Sequence, residues 1–244
     1  MLSKSQIKLI TSLKQKKYRS QHQLFVAEGI KTVSELLNSS YQLHRLYTIT
    51  NEFDVSDDLV TYISSDELRK ISFLKSPNTA LAVFEMKKPE PIDPSQLIVA
   101  LDDVSDPGNL GTIIRLCDWF GVRDLICSIN TVDCFNPKVV QASMGSLSRV
   151  NLSYTDLKAF LSAMDATKFG AFMNSESIYE MNLPSSGILV LGNEANGISD
   201  EIAQLINQKI SIPRFGQLQE TESLNVANAA AILLSEFKRR LIEK

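Results

Sequence analysis

The chain has 244 residues, 44% hydrophobic and 22% charged, a balance that suits one large globular domain or two small ones and excludes wholesale disorder. No apolar run approaches the roughly 18 residues of a transmembrane helix, and the opening Met-Leu-Ser-Lys-Ser-Gln lacks the apolar core of a secretory signal, so a cytoplasmic protein is expected. The net charge of −3 hides an asymmetry: residues 1–45 carry eight Lys/Arg against Glu28 and Glu35, a net of +6, and the remainder carries −9. A basic end on an acidic body points to a polyanion partner for the first part alone, or to a solvated helix face.

In chain order, Ile7, Ile10 and Leu13 recur at helical spacing, as do Ile30, Val33 and Leu37. Leu43–Ile49 and Asn78–Glu85 are expected as strands and Ser65–Ile71 as a short helix, which makes the first part a small α/β domain. Lys87 to Ser95 holds three of the eight prolines and is expected as an extended linker. The expected organisation is therefore a domain over 1–88, a linker over 89–96 and a second domain over 97–244.

The second domain alternates strand and helix. Leu97–Leu101 is a continuous apolar run, as in a strand covered on both faces. A turn at Asp-Pro-Gly-Asn leads to a helix through Thr112–Phe120 closed by Gly121, then to a strand over Asp124–Ile129. Further strands are expected near Lys168–Met173, Ile188–Leu191 and Lys209–Ile212. Helices are expected near Pro137–Met144, Asp156–Met164 and Ser199–Asn207, and from Leu224 to Ile242. This alternation predicts an α/β fold with a parallel sheet flanked by helices.

Cys117, Cys127 and Cys134 form no Cys-x-x-Cys pair and sit among apolar residues, which suits reduced thiols better than disulfides or a zinc site, and no metal is expected. His22 and His44 both precede the motif-rich part, which excludes histidine acid–base chemistry from the larger part of the chain. Ligands of open parallel sheets bind beyond the carboxyl ends of strands. Three unusual segments fall there: Asp102 to Arg115, Leu191 to Gly197, and Ile212-Pro213 leading to Ser223-Leu224-Asn225. Gly192 to Gly197 is spaced like a dinucleotide fingerprint but carries Glu194, whose carboxylate would repel a pyrophosphate. A ligand with hydroxyls, an amine or a positive charge fits better, and S-adenosylmethionine has those features. Each segment also has a purely structural reading. Gly192 and Gly197 would supply a turn, Asn109 and Ser223 would be helix N-caps, and Arg115 would be solvated or paired with a nearby aspartate.

In order, Asp-x-x-Asp-Pro-Gly-Asn-x-Gly-x-Ile-x-Arg-x-x-x-x-Phe-Gly, Gly-Asn-Glu-x-x-Gly and Ile-Pro…Ser-Leu-Asn-Val closely resemble the SpoU/TrmH family of RNA ribose 2′-O-methyltransferases, of the SPOUT superfamily. Ser12-Leu13…Lys16-Lys17-Tyr18-Arg19…Leu24-Phe25-Val26-Ala27-Glu28-Gly29 resembles that family's substrate-binding domain, akin to ribosomal-protein-like RNA-binding modules. The resemblance implies a trefoil knot, S-adenosylmethionine as cofactor and a homodimer in which the second subunit helps complete each site. Leu191, Gly192, Glu194, Gly197, Ile212 and Leu224 match cofactor positions. Asn109, Arg115, Glu194, Ser223 and Asn225 match positions used for catalysis or for shaping the site. Lys14, Lys16, Lys17 and Arg19 would bind RNA phosphates, with ribosomal RNA favoured over transfer RNA. A guanidinium is a poor base, so Arg115 is expected to hold the target phosphate. A non-catalytic RNA-binding protein of the same fold is the alternative from another class, against which the intact five-residue set argues. A Rossmann enzyme would carry its glycine loop after the first strand, where Asp-Pro-Gly-Asn stands instead. The stretch between Pro213 and Ser223 is longer than the commoner family version and would bring Glu220 and Glu222 near the RNA path.

Overall fold

The computed structural model describes residues 2–77, 79–216, 218 and 223–242, with the side chains of 240–242 excepted. Asn78, Glu220 and Glu222 therefore lie outside the described residues. The chain divides into two compact units, one formed by Met1–Lys88 with Asp133–Arg149, the other by Pro89–Val132 with Val150–Lys244.

The first unit opens with helices α1 (Lys4–Ser12) and α2 (Lys16–His22), then β1 (Leu24–Glu28), α3 (Ile30–Leu37), β2 (Leu43–Thr48), β3 (Val60–Tyr62), α4 (Ser65–Ile71) and β4 (Ala80–Glu85). Ser3 and Ser64 each start a helix with a capping box, the serine oxygen taking the third amide while Gln6 or Glu67 returns to the cap backbone. The strands form one mixed sheet in the order β1-β4-β2-β3, with β4 antiparallel to both neighbours. Ile10, Leu13, Val26, Leu68, Ile71 and Val83 belong to its core. Periodicity does not reveal α2 or β1, because each is too short to show a repeat.

The second unit begins with β5 (Leu97–Leu101), α5 (Pro107–Trp119) and β6 (Asp124–Ser128). The chain then contributes α6 (Pro137–Ser143) to the first unit. There α6 packs on β1, and Phe135 meets Phe25 with ring centroids 4.7 Å apart. It returns as β7 (Asn151–Thr155), α7 (Leu157–Ala163), β8 (Lys168–Ser177), β9 (Gly187–Leu191), α8 (Asp200–Ala203), β10 (Gln208–Ser211) and α9 (Val226–Ile242). Six strands form a parallel sheet in the order β10-β8-β9-β5-β6-β7. Strands β5, β6 and β9 are buried along their whole length, which explains the unbroken apolar runs of β5 and β9; in β6 the run is Leu125 to Cys127, between a buried Asp124 and Ser128.

Two expected helix starts move. Asp106, not Asn109, caps α5: its Oδ1 accepts from the Asn109 amide at 2.9 Å, and Pro107 occupies the first helical position where no donor is needed. Asn225, not Ser223, caps α9, its Oδ1 accepting from the Ala227 and Asn228 amides at 2.9 and 3.3 Å. Among the described residues no helix is long and apolar enough to cross a membrane. The three cysteines are buried, and no disulfide joins them.

Candidate active site

Strands β5 and β9 are parallel neighbours, so their carboxyl ends release two loops side by side. After β5, the ladder runs one residue further, the Asp102 amide donating to the Leu191 carbonyl at 2.9 Å. Asp103 then adopts a left-handed backbone with φ of 58°, held by Ser128 and by Asn130, whose hydroxyl and amide donate to its carboxylate at 2.6 and 3.2 Å. After β9, Asn193 and Gly197 exchange two backbone hydrogen bonds of 2.9 Å, closing a tight loop. Gly192 is required there. A Cβ on it would lie 2.1 Å from the Gly197 carbonyl carbon.

Asn193 joins the loops, its amide nitrogen donating to the Asp103 carbonyl at 2.7 Å while its Oδ1 accepts from the Ala195 and Asn196 amides. Asp102 returns the contact, accepting from the Ser199 amide at 2.7 Å. Glu194 completes the junction. Its Oε2 accepts from the Ser105 amide and hydroxyl at 3.1 Å, and its Oε1 from the Asp106 amide at 3.1 Å and the Asn109 side-chain amide at 2.9 Å. Burial pushes the Glu194 carboxyl up, but donation from Asn109 and the backbone amides outweighs it and holds the group down at about 2. Asn109 in turn accepts from the Asn225 side-chain amide at 2.8 Å. One line of hydrogen bonds, Glu194 to Asn109 to Asn225, thus ties all three sequence segments together.

Beside this junction lies a cavity of about 1380 Å³. Leu191, Gly192, Glu194, Gly197, Ile212, Ser223, Leu224 and Asn225 all line it, so every residue expected to hold the cofactor faces one space. Ser223 and Asn225 are exposed at its mouth, and Leu224, 49% exposed, is free of the α9 stripe in which periodicity would have placed it. Asn109 reaches the cavity only through Glu194 and Asn225. Arg115 does not line it and is exposed, roughly 120° around α5 from Asn109.

The RNA-contact set divides. Lys14, Lys16 and Lys17 are exposed, but Arg19 is 2% exposed. Its guanidinium donates to the Asp133 carboxylate and to the Leu13 and Lys14 carbonyls, the latter two at 2.9 Å. Arg19 is therefore a structural residue of the first unit and not a phosphate ligand, a correction that depends on Asp133, 114 residues away. Asn193, Asp102 and Ser105 are the site residues that sequence reasoning missed. Only the Asx-type loop signal at Asn193 hints at one of them. Among the described residues no group of three His, Cys, Asp or Glu is placed to hold a metal.

A six-stranded parallel sheet with a ligand-sized cavity past two strand ends defines an α/β ligand-binding protein. The chain belongs to the SpoU rRNA Methylase family, whose model matches residues 96–235, and an MRM3-like substrate binding domain matches residues 4–82. It is 29% identical over 232 residues to the 23S rRNA (guanosine(2553)-2′-O)-methyltransferase RlmP of Bacillus subtilis, covering 91% of this chain and 92% of that one. A TrmH-family structure from Porphyromonas gingivalis superposes with a TM-score of 0.89 at 40% identity, covering 98% of this chain and 99% of the other. An AdoMet-bound rRNA methyltransferase from Sinorhizobium meliloti does so with a TM-score of 0.87 at 29% identity, covering 99% and 97%. Membership makes the chain an S-adenosylmethionine-dependent RNA 2′-O-methyltransferase.

Proposed function

We propose that this protein methylates a ribose 2′-hydroxyl of ribosomal RNA in the cytoplasm, with its site in the large cavity of the second unit. The observation that carries the reading is the hydrogen-bonded line from Glu194 through Asn109 to Asn225, which draws the three motif segments to one cavity mouth. Ribosomal RNA is preferred because the relatives above that carry a substrate in their names act on ribosomal RNA.

The cavity suits S-adenosylmethionine. Leu191, Ile212 and Leu224 offer apolar walls, and the loop closed at Gly192 and Gly197 offers backbone groups where no side chain fits. A trefoil knot would let these segments thread about one another. When bound, the cofactor supplies an electrophilic methyl group on a sulfonium. Glu194 shapes the site and is not the base. Both its oxygens are committed, and its proton affinity is far too low at neutral pH. Ser223 and Asn225 are at hand to orient the ribose. Arg115, whose guanidinium offers a fork of donors and no acceptor, holds the target phosphate and stabilises the developing alkoxide, while the proton leaves through phosphate or water.

Arg115 reaches a site in a homodimer. It stands off its own cavity, and one turn further along α5 Trp119 is 84% exposed, a large apolar face that a second copy would cover. Lys14, Lys16 and Lys17 supply electrostatic affinity for RNA, without sequence reading.

The test incubates the protein with radiolabelled S-adenosylmethionine and unmodified ribosomal and transfer RNA, followed by alkaline digestion. Label in alkali-resistant dinucleotides from the ribosomal fraction is expected. Label in transfer RNA alone would overturn the substrate, and cofactor binding with no label anywhere would overturn the enzymatic reading.

A further inference from the structure

Next to the large cavity is a second one of about 600 Å³, within the roughly 300–1,000 Å³ of small-molecule sites. The two share Met173 of β8 and the segment Pro213, Arg214 and Phe215, which together wall both. The chemistry of the smaller space differs. Phe215 is 83% exposed and Tyr179 40%, two aromatic side chains that the core does not absorb. Two of the hydroxyl groups around them, those of Ser177 and Ser211, are committed to the walls. Ser177 accepts from the Tyr179 amide at 3.3 Å, and Ser211 donates to the Ser175 carbonyl at 2.8 Å. Arg214 donates to the Asn174 side-chain oxygen at 3.3 Å, which sets its guanidinium at the shared wall. Glu180, exposed, adds a carboxylate to the lining.

Exposed aromatic rings beside a cation are what a single-stranded nucleobase and its phosphate call for, because every base has a face to stack. A carboxylate accepts hydrogen bonds and cannot donate them. It therefore favours a base edge with two adjacent donors, and among the common bases guanine alone offers N1–H beside N2–H2. We propose that the smaller cavity binds a guanine of the RNA substrate, stacked on Tyr179 and Phe215, read by Glu180, with Arg214 facing its phosphate. This site rests on the RNA methyltransferase reading above and extends it, setting which nucleotide lies against the cofactor cavity.

Tyr179 and Glu180 line the smaller cavity and not the larger one, so their variants leave the cofactor walls intact. The experiment measures, with full-length protein, cofactor affinity by calorimetry and the binding of short oligoribonucleotides carrying guanine or hypoxanthine, which lacks the 2-amino group. Wild-type protein should prefer the guanine oligonucleotide by about fivefold or more, and Glu180→Gln should abolish that preference. Tyr179→Ala should weaken both oligonucleotides by about 5- to 100-fold and Tyr179→Phe should restore them, with cofactor affinity unchanged throughout. Equal binding of both oligonucleotides by all four proteins would overturn the site. Methyl transfer by the wild type is scored separately: its absence with guanine preference intact would sink the enzymatic reading alone, and normal transfer indifferent to both positions would sink this site alone.

Discussion

Glu194 is the side chain on which the junction depends, and its acidity makes that testable. Its carboxyl sits at about 2 in the fold, against an unperturbed 4.5. A depressed carboxylate contributes stability that is present above the unfolded value and is lost as pH falls toward the folded one, so its contribution should fade between about pH 4.5 and 2. Wild-type thermal stability should therefore fall more steeply over this window than that of Glu194→Gln. At pH 7 the variant should be less stable by about 1–3 kcal/mol, since its NH2 group faces amide donors. Gly192 is tested by steric substitution. With a Cβ placed 2.1 Å from backbone, Gly192→Ala must push the loop open, and calorimetry should find cofactor affinity reduced about tenfold or more.

Helices α5 and α9 pack together, and each begins at the site. The Asp106 and Asn225 caps are thus more than helix starts, because Asp106 also donates its amide to Glu194 and Asn225 its side chain to Asn109. Helix α2 makes the opposite point. Its lysines face solvent while Arg19, on the same short element, is buried against Asp133. Replacing Lys14, Lys16 and Lys17 with neutral residues should lower the salt dependence of RNA binding by roughly two to three in slope and leave the melting temperature nearly unchanged. Arg19→Leu should do the reverse, costing about 3 kcal/mol or more by leaving the Asp133 carboxylate unpaired, with the salt slope intact at temperatures where the protein is folded. Arg19 lies only two residues from Lys17. Charge patterning could not separate them, because burial is decided by a partner far along the chain.

The division into units has a consequence for any dissection of the protein. Residues 1–88 alone lack Phe135, which packs on Phe25, and Asp133, which neutralises Arg19. That fragment should give a poorly dispersed amide NMR spectrum, and adding the segment 133–149 through a linker should sharpen it. For the whole enzyme, mixing two defective variants tests whether Arg115 acts across a dimer. Arg115→Ala and Gly192→Ala, assayed at a cofactor concentration that leaves the weakened Gly192→Ala site nearly empty, should regain methyl transfer when coexpressed if one subunit's arginine serves the other's cavity. No recovery would place Arg115 within its own subunit.

The amino-acid sequence was enough for the parallel α/β unit, where β5 and β9 are continuous apolar runs, and for the three motif segments, whose residue types and order are local properties. It also marked Leu191, Gly192, Glu194, Gly197, Ile212 and Leu224, which share the large cavity, but not Asn193 or the β8 residues that wall it with them. It did not determine the helix starts, since Asp106 against Asn109 and Asn225 against Ser223 are near-equal caps until neighbouring loops claim one of each pair. Nor could it give the partners of Glu194, Arg19 or Asp133, because a carboxylate or a guanidinium reads the same in solvent and in a junction. Their roles are set by partners 85 to 114 residues away, a distance that only the folded chain closes.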